Sequence, residues 1–580
     1  MALAARKFSH TLRQTLLTGL TATAFALAAA PASPVELPEG FVGAYLAGRV
    51  AEQRGETNIA AGQLSRALAL APDTPRLRRR VVGLLTVEGE IDRAAKDAEA
   101  LSAMGEKGFP IGMLRVSKRF MTGDFEGVRE IVTDPRSNGL SPVIATLADA
   151  WAMAGADDIN GGARKLTDAA REMQGLKVLL MLHAGMLAEQ GERADLARWM
   201  YEEAIAAAES EERPLSPRLV QVAAGFHDRN DAPEAAAAIR AKAGEGVEDP
   251  DDTAAVGQIV KSAAEGFGEA LFNFAGGLYQ DRQYRSALVY ARLADALRPS
   301  DPATRQTIGQ ILEASGRSEA AAAAYRAVPK AGSYAWRAPL RAADSMADAG
   351  DIDGAAKAMR EVMAIAPEEP EAAISLGHLL RSANKFEEAA AAYDEAINRK
   401  GGLGPGDGWL RYARAIALER SDRWIEAEKE FLAALETLGN EPLILNYLGY
   451  SWIDRGENLD KARDMVARAV ELRPEDGFIT DSLGWAEYRA GDYEAAVATL
   501  ERAIALQPVD PVINEHLGDA YWQVGRFREA RFQWRRALSF EPDAELVPVI
   551  EGKLRCGVVG CPAASAPKAD DAKQSGSDGG

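Results

Sequence analysis

Histidine, cysteine and paired carboxylates are the side chains that hold metals, move protons or attack bonds, and this sequence scatters them. The five histidines, His10, His183, His227, His378 and His516, lie far apart. None belongs to an H-E-x-x-H pair, which would set two imidazoles on one helical face for zinc. There is no G-x-S-x-G elbow and no G-x-x-x-x-G-K-[ST] loop. The glycine cluster at 401–408 lacks the lysine and hydroxyl that a phosphate cradle requires, so it reads as a linker. Cys556 and Cys561 are the only cysteines, spaced C-x4-C with no histidine nearby, which is not a zinc knuckle. A local disulfide would suit an oxidising compartment; two unpaired thiols on a loose tail are the alternative. Among 86 carboxylates some must fall close together, but nothing marks a pair as an acid–base dyad. The expectation is no catalytic residue, no metal, no cofactor, and a protein that is not an enzyme.

A chain of 580 residues is too long for one ordinary core, so several domains or one long array must organise it. The composition, 47% hydrophobic and 26% charged, is that of a folded soluble chain. Alanine, the best helix former, is abundant throughout. Glycine and proline recur at spaced positions, as helix–turn–helix punctuation does. The net charge of −19 would repel a phosphate backbone, and basic stretches such as Arg76 to Arg80 are short. Nucleic acid is therefore not an expected partner.

The N-terminus has the plan of an export signal: Arg6, Lys7 and Arg13, then an uncharged apolar run from Leu16 to Ala30, then Ala30-Pro31-Ala32 as a small-x-small site before Ser33. The run falls short of the roughly 20 residues of a spanning helix. Cleavage would free the chain; an uncleaved segment would tether it to the inner membrane, the one route to a membrane that the sequence offers. No cysteine lies near the cut, so an acylated N-terminus is not available.

Self-similarity is clearest towards the C-terminal end. Pro474, Pro508 and Pro542 are spaced by 34 residues, as are Ala469, Ala503 and Ala537. One unit reads Asn514-x2-Leu517-Gly518-x2-Tyr521, then Ala530-x3-Trp534, then Pro542. This resembles the tetratricopeptide pattern, W-x2-L-G-x2-Y…A-x3-F…P, with Asn514 in place of the first Trp. Gly518 and Ala530 stand where two helices approach closely, large side chains fill the rest, and proline ends the second helix. Sliding the pattern back finds Leu483-Gly484, Leu448-Gly449, Leu376-Gly377, Ile308-Gly309 and Gly48 in register. The fit weakens between about 75 and 240, where breaks remain at Gly89-Glu90, Gly123-Asp124 and Gly191-Glu192. Roughly twelve to fourteen units are expected. The implied fold is all-α, a tetratricopeptide-repeat solenoid, or right-handed superhelix of antiparallel helix pairs.

The expected organisation is a signal at 1–32, degenerate repeats at 41–241, a linker at 242–267 and a central array at 268–398. A glycine-rich joint follows at 399–408, then a C-terminal array at 409–542, a capping helix with the cysteine pair at 543–561, and a disordered tail at 562–580.

Positions 2, 5, 9 and 12 of each first helix should line the concave face. They are Trp409, Tyr412, Ile416 and Glu419; Leu443, Asn446, Tyr450 and Ile453; Phe478, Asp481, Trp485 and Tyr488; Val512, Glu515, Asp519 and Trp522. Aromatics with polar anchors suit a peptide groove, for which Tyr412, Asn446, Tyr450, Asp481, Trp485, Tyr488, Asp519 and Trp522 are the candidates. Packing of these rings against adjacent helices is the alternative. Repeat modules that clamp a terminal carboxylate carry Lys and Asn at positions 5 and 9; here those positions show no such clamp. The acidic groove favours basic or neutral segments.

The segments Asn446-Tyr447-Leu448-Gly449-Tyr450, Asp481-Ser482-Leu483-Gly484-Trp485 and His516-Leu517-Gly518-Asp519-Ala520-Tyr521-Trp522 resemble the signature of a family of exported proteobacterial repeat proteins. Tyr45-Leu46-Ala47-Gly48-Arg49 is similar to its alphaproteobacterial members. That family includes a lipoprotein adaptor of a carboxyl-terminal processing protease. The resemblance implies a periplasmic scaffold that binds other proteins or peptides, with a processing protease and its cell-wall hydrolase substrates as partners. The alternative is an envelope-assembly component tethered to the membrane.

Overall fold

The computed structural model describes residues 40–210, 215–242, 258–299, 301–330 and 332–558; the expected signal and tail lie outside them. Twenty-nine α-helices and no strand occur among the described residues. They form two compact units, one ending at Pro299 and the other holding the described residues from 301 onward, and each is a solenoid of tetratricopeptide-type helix pairs.

In the first unit the helices are α1 (Phe41–Gln53), α2 (Thr57–Leu70), α3 (Pro75–Glu88), α4 (Ile91–Ala103), α5 (Ile111–Thr122), α6 (Phe125–Val132), α7 (Pro142–Gly155), α8 (Ile159–Glu172), α9 (Lys177–Gln190), α10 (Ala194–Ser210), α11 (Pro217–Arg229), α12 (Pro233–Arg240), α13 (Ala263–Gln280) and α14 (Tyr284–Leu297). The second holds α15 (Pro302–Ala314), α16 (Ser318–Arg326), α17 (Tyr334–Asp348), α18 (Ile352–Ile365), α19 (Glu371–Ser382), α20 (Phe386–Arg399), α21 (Gly408–Glu419), α22 (Trp424–Leu438), α23 (Pro442–Arg455), α24 (Leu459–Leu472), α25 (Gly477–Ala490), α26 (Tyr493–Leu506), α27 (Pro511–Gln523), α28 (Phe527–Ser539) and the capping helix α29 (Leu546–Cys556).

In several pairs close approach follows from one glycine. A Cβ on Gly518 would stand 2.4 Å from the Trp534 ring, and one on Gly377 or Gly309 would stand 2.5 Å from the ring of Tyr393 or Tyr325. Those three rings are fully buried, so the first helix has no side chain where the second inserts its largest. The turns between helices need left-handed backbone. Gly89 (φ 82°) and Gly123 (φ 72°) supply it, whereas at the third break Glu192 (φ 56°) adopts it instead of Gly191.

The first unit folds back on itself. The expected linker 242–267 ends in helix, since α13 begins at Ala263, and the expected central array 268–398 is divided. Its first pair, α13–α14, belongs with the N-terminal repeats. Helix α13 packs on α5, α7 and α9, and α14 on α3, α4 and α5. Because α3, α5, α7 and α9 are all first helices, the pair fills the concave face they line. The ring of Phe267 stacks on Phe120 at 4.7 Å, and the α13 backbone at Gly266 leaves no room for a Cβ beside Trp151. Glu269, with no exposed surface, accepts from Arg218 Nε at 2.8 Å and also pairs with the nearly buried Arg298. A buried carboxylate between two guanidiniums is satisfied only in this docked arrangement. Nearby, His183 Nδ1 accepts from Trp151 Nε1 at 3.2 Å. Burial and the same two arginines push its pKa down to about 4, while Glu269 opposes, so the ring is neutral.

Candidate functional site

The second unit keeps part of its concave face open. Its first helices begin in register because their caps do. Asp476 accepts from the backbone N–H groups of Phe478 and Ile479, and Asp510 from those of Val512 and Ile513. Pro442 opens α23 behind Glu441. The fifth residues after these caps are Asn446, Asp481 and Glu515, so equivalent positions face the same way on successive helices.

A cavity of about 390 Å³ lies across α21, α23, α25 and α27. Its walls are Glu419 of α21 and Arg420 just after it; Asn446, Tyr447, Tyr450, Ser451, Asp454 and Arg455 of α23; Phe478, Asp481 and Ser482 of α25; and Val512 of α27. Phe478 and Val512 keep 47% and 39% of their surface exposed and form an apolar rim. The carboxamide oxygen of Asn446 is enclosed and has no hydrogen-bond partner among the described residues. Burial, with the carboxylates of Asp481, Asp454 and Glu515, holds the Tyr450 phenol well above its ordinary pKa, so the hydroxyl keeps its proton.

Of the eight residues picked out by sequence, Asn446, Tyr450 and Asp481 share this cavity. Trp485 and Tyr488 stand outside its lining, stacked on one another with centroids 4.8 Å apart. Trp485 also stacks on His516 at 4.2 Å. Tyr412 packs edge-on to Tyr447 and against the buried Phe431, and burial pushes its phenol pKa up to about 12. Asp519 and Trp522 are covered by the end of the chain. Asp519 accepts from Trp534 Nε1 at 3.0 Å and pairs with Lys553 of α29 at 2.5 Å. Gly557, with a left-handed φ of 78°, lies so close to Trp522 that a Cβ there would meet the indole at 2.1 Å. For Tyr412, Asp519 and Trp522 the packing alternative describes their surroundings.

The sequence frame missed Arg420, Tyr447, Ser451, Asp454, Arg455 and Ser482. The open stripe of α23 runs through positions 5, 6, 9, 10, 13 and 14, while Ile453 at position 12 turns into the core at 1% exposure. At 3.6 residues per turn, position 13 follows 9 and 6 on one face as well as 12 does. Polarity was the signal available: Asp454 is charged where Ile453 is apolar.

Beside the cavity lies a buried network. His516 Nδ1 is 3.0 Å from both oxygens of Asp481, and Lys553 reaches Glu515 as well as Asp519. Burial opposes a charge on His516, but Asp481, with Glu515 and Asp519, outweighs it and pushes the pKa up to about 9. The ring is thus a cation near neutral pH and cannot serve as a general base. Burial and Glu515 push Asp519 up to about 6 against the pull of Lys553. Cys556, the last residue of α29, is disulfide-bonded; Cys561 lies outside the described residues. No group of three His, Cys, Asp or Glu side chains able to hold a metal ion occurs among the described residues. None of the described helices is long and apolar enough to cross a membrane.

Two stretches of the second unit match repeat-family models. Residues 484–525 match the family described as "TPR repeat", and residues 346–402 the family described as "Tetratricopeptide repeat". The TPR repeat-containing protein PA4667 of Pseudomonas aeruginosa is 30% identical over 158 residues, which span 27% of this chain and 26% of that protein. The chain thus spans about a quarter of that relative's length. Among solved structures, the APC/C hetero-tetramer Cut9–Hcn1 is similar at 13% identity, covering 89% of this chain and 96% of that one with a TM-score of 0.37. YrrB, a tetratricopeptide-repeat protein with an unusual peptide-binding site, is 20% identical over 34% of this chain and 98% of its own, with a TM-score of 0.26. The repeats mark the chain as a scaffold for protein–protein interaction.

Proposed function

We propose that this tetratricopeptide-repeat chain is a periplasmic adaptor that holds an extended segment of a partner protein in the cavity of its second unit and presents that partner to an envelope protease. The observation that carries this reading is the contrast between the two concave faces. In the first unit α13 and α14 fill the face; in the second a cavity of about 390 Å³ remains, with the Asn446 carboxamide oxygen unsatisfied in its wall. An enclosed amide without a partner is costly unless something completes it, and a peptide backbone offers the donors that would. Phe478 and Val512 supply apolar contact at the rim. The adaptor role and the periplasmic location are supported by the resemblance of Asn446–Tyr450, Asp481–Trp485 and His516–Trp522 to exported repeat proteins and by the signal-like N-terminal segment. No step of this function needs a catalytic group.

The test is to immobilise the chain from Ser33 onward and identify by mass spectrometry what it retains from a periplasmic extract. Retention of a processing protease or cell-wall hydrolases, lost when Asn446 and Tyr450 are both replaced by Ala, supports the reading. Retention that ignores those substitutions contradicts the groove. Retention from detergent-solubilised envelope alone, with an intact N-terminus on sequencing, moves the function to a tethered envelope component.

A further inference from the structure

We propose that the second-unit cavity is a receptor for a basic side chain, the lysine or arginine of the partner's extended segment; this rests on the groove reading above and specifies what it selects. Three observations converge.

The polar wall carries three carboxylates against two arginines. Glu419, Asp454 and Asp481 present carboxylates. The enclosed Asn446 oxygen is a further acceptor without a donor. The two arginines of the lining are each laid on a ring: Arg420 sits 4.6 Å from the centroid of Phe386, and Arg455 4.5 Å from that of Trp424. Glu419 already accepts from the Tyr447 hydroxyl at 3.2 Å and Asp481 is paired with His516, so Asp454, with only Arg489 at 3.9 Å, and the Asn446 oxygen are the acceptors left for an ammonium or guanidinium group, which donates only.

The network behind the wall leaves charge over. Three buried carboxylates, Asp481, Glu515 and Asp519, face two cations, His516 and Lys553. One negative charge is uncompensated, and Asp481 brings that cluster to the cavity surface. The lining and the network behind it thus each hold one more carboxylate than cation, an excess that partial burial strengthens.

The size also fits. About 390 Å³ lies at the small end of ligand sites, room for one or two side chains of a peptide lying across the helices. An aliphatic stem would cross the Phe478 and Val512 rim while its charged head reaches Asp454 and Asp481.

The experiment is selection of a random dodecapeptide display library on the full chain, followed by titration of the leading synthetic peptide. The expected result is enrichment of Lys or Arg at one fixed position. Norleucine at that position should weaken binding about tenfold, and Asp454→Asn on the protein at least about threefold, with both losses shrinking at high salt. Asp454 is exposed, so this variant leaves the core undisturbed; Tyr450→Phe serves as a second, conservative probe of the same wall. Peptides without a basic position whose binding is nonetheless lost in the Asn446→Ala, Tyr450→Ala double variant would overturn the cation receptor and leave the groove standing. Selected peptides indifferent to that double variant would overturn the groove and this inference together.

Discussion

His516 and Asp481 form an ion pair across the seam between α25 and α27, with Nδ1 3.0 Å from each carboxylate oxygen and both residues almost wholly buried. The pair ties together two successive first helices across 35 residues of sequence. It also fixes the one carboxylate that belongs both to the buried network and to the cavity wall.

Stability of the second unit should therefore fall in alkali. The folded pKa of His516 is pushed up to about 9 from an ordinary value near 6.5. A raised pKa stabilises fully below the unfolded value, and that contribution is lost as pH rises through about 9. Its full size is on the order of 3 kcal/mol, each tenfold change in proton affinity being about 1.4 kcal/mol. Denaturant unfolding at pH 6.5 and pH 9.5 should show this loss in the wild type and a flat response in His516→Gln. Equal loss in both proteins would remove the pair from the account.

Glu269→Gln should unfold or open the first unit. The change leaves Arg218 and Arg298 facing an uncharged group inside the fold, where breaking a buried pair costs about 3–5 kcal/mol. The Glu269 carboxyl lies well below the ordinary carboxylate range, because the two arginines outweigh its burial. Its stabilising contribution is present above the unfolded pKa of about 4.3 and is lost as pH falls below it. Hydrogen exchange over α13 and α14 is the direct readout. Unchanged protection there would mean that the pair is held by apolar contact alone.

Two glycines give opposite expectations. Gly377→Ala would place a methyl 2.5 Å from the Tyr393 ring and should destabilise by about 1–3 kcal/mol. Gly276→Ala, within α13, meets nothing within 4 Å and should stabilise by about 0.5–1 kcal/mol. Thermal melts of both variants test whether close helix approach is what selects glycine in the repeats.

The repeat was legible because its packing is local. Gly518 and Trp534, or Gly377 and Tyr393, meet within one helix pair, so their spacing recurs in the sequence and carries the geometry with it. The fold-back of α13–α14 was not legible for the opposite reason. Arg292 donates to the Val87 carbonyl across 205 residues, and Glu269 meets Arg218 across 51, separations with no periodic signature. On α23 the cavity stripe was readable only in part from the repeat frame. Asn446, Tyr450 and Asp481 line the cavity, whereas the frame points to Ile453 in place of Asp454 because positions 12 and 13 both continue the stripe. For Asp519 and Trp522 the sequence leaves groove and packing open, because nothing in their own repeat shows that α29 returns to cover them.

Lys553→Met should loosen the capping helix. It leaves Glu515 and Asp519 side by side without their shared cation, under burial that already pushes Asp519 up to about 6. The variant should lose several degrees of thermal stability at pH 8 and regain part of the loss at pH 5, where Asp519 takes up a proton. Limited proteolysis should cut before α29 sooner than in the wild type. A loss independent of pH would show that Lys553 acts through its aliphatic stem.

Site-specific photo-cross-linking in cells tests the central claim most directly. A benzophenone side chain replaces Phe478 on the cavity rim in one protein and Trp199, 44% exposed in the first unit, in another. The account predicts a discrete partner adduct from position 478, absent from position 199 and abolished when Asn446 and Tyr450 are also replaced by Ala. An adduct from position 199 with none from 478, or one from 478 that survives the double substitution, would contradict it.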